Sequence, residues 1–361
     1  MSVTQISPRI GALWQQRMDS LKEYEVIRDG NVFTSGFSNN FVFSSEYDRA
    51  RMNLNHLIKQ YEDIPLTHVF SGNEITNDGG VCFHIQNDFD LPDLHFNSDR
   101  FRSDILSDLT LAKGIGIRKQ RHLKSHGYET LVDLMHHPKF RAAATRVIDC
   151  VSRGNSKDVM EFIGTRHRKS HPLALGTAGF HEPEEFVFID IETLGLFSSP
   201  ITLFGVGTIE KGRLCIHQYL LRDIAEEPAA LKATINHLSG DHPALVTFNG
   251  KSFDLPYILD RLAFYGLMSQ SKLPHYDVLH FSRSRWKGQF DSYCLSTLEK
   301  VILGVERTND IPGQMVPEFY ETYLRTGNCG PLVPVVEHNR QDVLSLALLF
   351  FYLLGESYGS G

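Results

Sequence analysis

Residues 186–195 read FVFIDIETLG: an apolar run ends in two carboxylates, Asp190 and Glu192, two positions apart. In a strand such residues share a face and stand ~6.6 Å apart. Carboxylates at that distance repel by roughly 2.5 kcal/mol at an effective dielectric of 20. Acids are rarely buried unless they are paired or hold a metal. The pair therefore asks for a cation or for solvent between its members, and for an isolated D-x-E a solvated strand end is the plainer answer. Two more acids follow. TFNGKSFDLPYILDRL places Asn249 at the end of an apolar strand and Asp254 at the start of a helix, where an N-cap or first-turn acid is also common. HNRQDVLSL sets Asp342 four residues after His338, on one helical face, where a surface ion pair is the plainer reading.

Taken in order, a strand-borne D-x-E, then N-x3-FD at a strand-to-helix step, then H-x3-D on the last helix, the set resembles the DEDD exonucleases of the ribonuclease H-like superfamily. It is similar to their YprB-like branch in DIETLGL, TFNGKSFDLP, the RSRW after HYDVLHF, DIPG and HNRQDVLSL. The resemblance spans residues 182–361. It implies a 3′→5′ exonuclease in which two ions, Mg²⁺ or Mn²⁺, are held by Asp190, Glu192, Asp254 and Asp342, with Asp190 bridging both. Carboxylates suit these hard cations. A pair of ions ~3.5–4 Å apart can neutralise the attacking and leaving oxygens of phosphodiester hydrolysis. His338 would orient or deprotonate the attacking water, a task its near-neutral pKa suits. The family's two familiar spacings are Y-x3-D and H-x4-D. This chain has His with spacing three, and one residue turns a helical side chain by ~100°. A structural histidine beside the site is therefore the alternative for His338. Asn249 would bond a terminal nucleotide and Phe253 would shape the strand end or pack in the core. Asp277 is either a fifth carboxylate or a turn-capping one. Arg283, Arg285 and Trp286 are cationic and stackable, as phosphate and base contacts require, with a buried Trp and surface arginines as the alternative.

The elements that must position these residues can be read from the chain around them. FVFIDIE, ITLFGVGTIE and RLCIHQYLL read as three strands at close spacing, and ALVTFNG as a fourth. Helical patterns follow at 253–265, in SYCLSTLEKVIL and PEFYETYLRTG, and at 335–354. The expected fold is α/β: a ribonuclease H-like mixed sheet flanked by helices. Ahead of it stands a small β-hairpin and helical N-terminal region. A helix is expected near 45–61 and a hairpin within 66–86, where VCFHIQ alternates behind the turn residues of TNDGG. Short helices are expected over 106–163. We divide the chain into 1–105, an N-terminal α+β region; 106–165, a nucleic-acid-binding module; 166–181, a linker rich in Pro and Gly; and 182–361, the exonuclease domain.

The module is assigned from charge and one motif. Residues 113–171 carry 13 Lys and Arg against 5 Asp and Glu, within a chain whose net charge is -7. Such asymmetry points to a polyanion, or more plainly to a solvated basic helix face. LAKGIGIRKQRHLKSHGYETLVDL resembles a helix-hairpin-helix motif. The resemblance implies that the Gly114 and Gly116 turn lets backbone N–H groups approach a phosphate at a helix N-terminus, flanked by Lys113, Arg118, Lys119 and Arg121. Leu123, Leu131 and Leu134 would supply the apolar faces. Nucleic acid is the expected partner, DNA before RNA. Three rival readings are a structure-selective endonuclease on the same scaffold, a nucleic-acid-binding protein with a degenerate site, and a non-nuclease metal hydrolase. Five dispersed cysteines without a C-x-x-C pair fit reduced thiols in the cytoplasm. Residues 1–20 lack a signal-peptide core, and the apolar run 343–354 is too short for a bilayer, so no membrane partner is expected.

Overall fold

A computed structural model describes residues 44–91, 98–195, 199–267, 273–307 and 310–358. One seven-stranded sheet organises them: β1 (Gly72–Asn77), β2 (Gly80–Asp90), β3 (Phe186–Thr193), β4 (Ile201–Glu210), β5 (Arg213–Leu220), β6 (Ala244–Thr247) and β7 (His275–Asp277). Their order across the sheet is β1-β2-β5-β4-β3-β6-β7. The pairs from β1 to β3 are antiparallel, whereas β6 lies parallel to β3 and β7 parallel to β6. This is the mixed α/β sheet expected of a ribonuclease H-like fold, extended by two strands. The extension differs from the sequence expectation. The N-terminal hairpin does not stand apart. Its second strand runs in register with β5 from Phe83↔Leu220 to Asp90↔Arg213 and so covers an edge of the central sheet.

The main helices are α1 (Ser44–Gln60), α2 (Ser98–Ser107), α3 (Ile117–Lys124), α4 (Arg141–Ser152), α5 (Ser156–Gly164), α6 (Glu227–Asn236), α7 (Asp254–Phe264), α8 (Val278–Arg285), α9 (Val316–Thr326) and α10 (Leu332–Tyr358), with shorter helical turns between them. Strand alternation splits the core in two. Phe186 and Phe188 of β3 meet Phe350 and Phe351 of α10 on one face. Val187, Ile189 and Ile191 join residues of α6, α7 and α9 on the other. The apolar run 343–354 is thus a largely buried stretch of α10. Among the described residues no helix is long and apolar enough to cross a membrane, and residues 1–20 lie outside them.

Two glycines set how closely α10 lies on the sheet. Gly205 of β4 is the register partner of Asp190. A Cβ at Gly205 would stand 2.4 Å from Asn339 Oδ1, and one at Gly207 2.9 Å from Val343 Cγ1. A β-strand glycine commonly marks such a close approach.

The stretch expected to be a linker is packed. Ala174, Leu175, Thr177 and Ala178 are buried, and the Thr177 hydroxyl lies 2.9 Å from the Tyr276 hydroxyl. One hydrophobic cluster runs from Ile105 through Leu123, Leu134, Val147 and Ile163 to Phe186 and Leu354. The basic segment therefore shares its core with the α10 face of the sheet. The small apolar residues of the intervening stretch weld the two together, which is the opposite of what its Pro and Gly content suggested.

Candidate active site

Along β3 one face carries Phe186, Phe188, Asp190 and Glu192 in turn. The first pair lies under α10; the second emerges where the helix turns polar. A register shift between Glu192 and Thr193 ends regular pairing with β4 at that point. Asp254 begins α7, and its Oδ1 accepts the Ile191 N–H at 3.2 Å, fixing it against the end of β3. His338 and Asp342 lie one turn apart on α10, with His338 Nε2 3.8 Å from Asp342 Oδ2. The structure thus gathers the four predicted carboxylates and the histidine at one end of β3.

Their electrostatics are those of a site short of positive charge. Burial, joined by the charges of Asp342, Glu192 and Asp254, holds the Asp190 carboxyl well above the usual carboxylate range. Burial pushes Glu192 up to about 8, with His338 opposing and Asp342 adding to the effect. Burial likewise carries Asp254 up to about 7. At His338 burial disfavours the imidazolium, but Asp342, Asp310 and Glu192 outweigh it and raise the pKa to about 10. Its Nδ1 lies 2.7 Å from Asp310 Oδ1. In this arrangement His338 is a cation, and it must lose a proton before it can take one from water.

Several residues that shape the site were not foreseen. Asn339 Nδ2 donates to Asp190 Oδ2 at 2.8 Å and to the Asp190 carbonyl at 3.2 Å, while Gln218 Nε2 orients it by donating to its Oδ1 at 2.9 Å. The signal available was HNRQD itself, since Asn339 lies between His338 and Asp342, and the G-x-G of β4 that admits it. Glu299, Arg307 and Asp310 form a second unforeseen group. Arg307 pairs with Asp342, Asp310 and Glu299 at once. Glu299 opens a π-helical turn, Glu299–Leu303, a geometry often found at functional sites.

Asp277, foreseen as a fifth carboxylate or a turn cap, takes the second role. It is fully buried at the end of β7, and accepts from the backbone N–H of Asn249 at 2.8 Å and of Lys251 at 3.1 Å. These bonds hold Asn249 at φ +62°, in the left-handed region that asparagine tolerates better than most residues. Phe253 packs beside Tyr257 against the second core. Trp286 is corrected: it is 4% exposed and lies among Phe290 and Tyr352, so its ring is not offered for stacking. Arg285 is tied to Glu356 at 3.0 Å, and Arg283 is half-buried.

In the basic segment Gly114 has φ +93° and Gly116 caps α3, with Ile115 buried between them. Lys113, Arg118, Lys119 and Arg121 are exposed, and Lys119 Nζ donates to the Gly114 carbonyl at 2.8 Å. The turn is preceded by a short 3-10 turn, Leu109–Leu111, rather than by a full helix. Leu123, Leu131 and Leu134 face the core.

The donor chemistry of the β3 end fits divalent ions: buried carboxylate oxygens, mutually repelling, with raised pKa values that a bound cation would reverse. Among the described residues no three acidic, histidine or cysteine side chains close on one point as a formed metal site would. A family model, the RNase_H superfamily, matches residues 187–354. The chain is also 33% identical over 193 residues to the uncharacterized protein YprB of Bacillus subtilis (strain 168). That match takes in 51% of this chain and 45% of the relative, so the chain spans about half the length of the curated relative it matches. The acid-bearing strand, the helix that answers it and the sheet between them belong together: residues 187–354 are a domain of the ribonuclease H superfamily.

Proposed function

We propose that this chain is a divalent-metal-dependent exonuclease that hydrolyses phosphodiester bonds of DNA from the 3′ end. The observation that carries the reading is the gathering of Asp190, Glu192, Asp254 and Asp342 at one end of β3, the first three with carboxyl groups pushed up by burial and by neighbouring acids. These four residues would hold two Mg²⁺ or Mn²⁺ ions, as ribonuclease H-like nucleases generally use divalent metals. Bound there, the ions would supply an activated water and charge neutralisation at the leaving oxygen. The protein's own groups do the rest. Asn339 fixes the Asp190 carboxylate. Asp277 fixes the backbone that presents Asn249, where a terminal nucleotide would lie. His338, once bound cations offset the carboxylates around it and its proton has left to solvent, would orient and deprotonate the water. The exposed cations beside the Gly114–Gly116 turn, acting as a helix-hairpin-helix-like grip, hold the backbone without reading sequence.

The test is one time course on 5′- and 3′-labelled single- and double-stranded DNA and RNA, and on a circular DNA, with Mg²⁺, with Mn²⁺ and with EDTA. Asp190→Ala serves as the contamination control. Stepwise release from 3′ ends of DNA, absent in EDTA and in the variant, is expected. Cutting of the circle would mark an endonuclease instead. Turnover in EDTA, or full turnover by Asp190→Ala, would overturn the metal reading. His338→Ala should lower the rate ~10²- to 10⁴-fold and remove an ionisation from the pH–rate profile.

A further inference from the structure

Arg307 stands at the rim of the acidic cluster and is only 11% exposed. It uses its whole fork: Nε donates to Glu299 Oε2 at 2.5 Å, Nη1 to Asp310 Oδ2 at 3.2 Å and Nη2 to Asp342 Oδ1 at 2.5 Å. Its anchor is itself anchored. Glu299 is fully buried, and its other oxygen accepts from Gln341 Nε2 at 2.5 Å and Ser345 Oγ at 2.7 Å. Gln341 and Ser345 lie on α10 on either side of Asp342, so the helix that carries Asp342 also fixes the base of the guanidinium that holds it. The two oxygens of Asp342 therefore differ. Oδ1 is taken by Arg307. Oδ2 lies 3.8 Å from His338 Nε2, beyond hydrogen-bond reach, and is left for another partner.

We propose that Arg307 is a positioning residue: anchored through Glu299, it holds Asp342 by Oδ1 so that the carboxylate offers Oδ2 alone to a divalent ion. The inference rests on the metal-dependent reading above and extends it from the ligands to the group that orients one of them. A planar guanidinium can satisfy three carboxylates in a fixed geometry, whereas an ammonium on a flexible stem keeps the charge and loses the orientation. Groups that orient metal ligands typically contribute ~10- to 100-fold to metal affinity.

The experiment reads Mn²⁺ binding directly, by electron paramagnetic resonance of the free ion, on the full chain without nucleic acid. Arg307→Lys should weaken binding ~10-fold or more. Glu299→Gln, which keeps the arginine and loosens its anchor, should shift it in the same direction. In an Asp342→Asn background, Arg307→Lys should cause less than about a twofold further loss, because the residue it acts through is gone. Equal losses in both backgrounds would overturn the proposal, as would wild-type affinity in Arg307→Lys. Should Arg307→Lys fail to fold, wild-type affinity in Glu299→Gln overturns it and weakened affinity supports it. No Mn²⁺ binding by the wild-type chain would instead bring down the metal reading itself.

Discussion

Replacing Glu192 by Gln should stabilise the metal-free protein while abolishing hydrolysis. Glu192 is 9% exposed, and burial beside other acids raises its carboxyl from 4.5 to about 8. Because the folded pKa is the higher one, the unfolded chain releases the proton first, and stability falls as pH rises from about 4.5 to about 8. At ~1.4 kcal/mol per pH unit the ceiling of that loss is ~5 kcal/mol. Glu192 titrates together with its acidic neighbours, so the gain expected from one substitution lies below that ceiling, at ~2–3 kcal/mol. A glutamine never ionises and keeps the stability of the neutral form. With roughly 2 °C per kcal/mol in a chain of this length, the variant should melt about 4–6 °C above wild type at pH 8.5. The gain should fade toward pH 4.5 and disappear below it, where both states hold the proton. Thermal melts in EDTA across this range measure the difference directly, and saturating Mg²⁺ should reverse its sign by stabilising only the wild type. Parallel wild-type and variant curves across the whole range, or a lower Tm for the variant at pH 8.5, would refute the claim that burial beside other acids strains the ionised Glu192.

Gly205→Ala should cost ~1–3 kcal/mol of stability and displace Asn339 from Asp190, since its Cβ would stand 2.4 Å from Asn339 Oδ1; melting and activity should fall together. Gly164→Ala is the control, because no atom would lie within 4 Å of its Cβ and a helical Gly→Ala change is neutral or favourable. Replacing Arg118, Lys119 and Arg121 together by Ala should flatten the slope of log K against log salt on duplex DNA by ~2–3, measured by fluorescence anisotropy, with cleavage at saturating substrate retained. An unchanged slope would leave the basic segment a solvated face.

What the sequence made legible was local. Asp190 and Glu192 at the end of an apolar run, Asp254 at a strand-to-helix step and His338 with Asp342 on one helix face are each readable within a dozen residues. The four central strands were readable for the same reason. What was missed depends on contacts between distant parts of the chain. Nothing within the 72–90 hairpin specifies that β2 will pair with β5, which lies more than a hundred residues on. Strand β7, only His275–Asp277, is too short to show a period. Arg307 and Glu299 read as ordinary charged residues until the fold closes them on Asp342. Trp286 was ambiguous in kind, because an indole serves equally well in a core and against a base. The 166–181 stretch was misjudged from its Pro and Gly, while its alanines and leucine were the residues that packed.

Helix α10 is translated after every other element of this site, yet it brings His338, Asn339 and Asp342 and closes the core shared with the basic segment. A nascent chain that has passed residue 254 already carries three of the acids, but it has neither the fourth nor the helix that seats Asp190. Assembly of the acidic cluster at the end of β3 is thereby tied to completion of the fold. The last element to be made is thus the one that completes the acidic cluster, when α10 docks across Gly205 and Gly207.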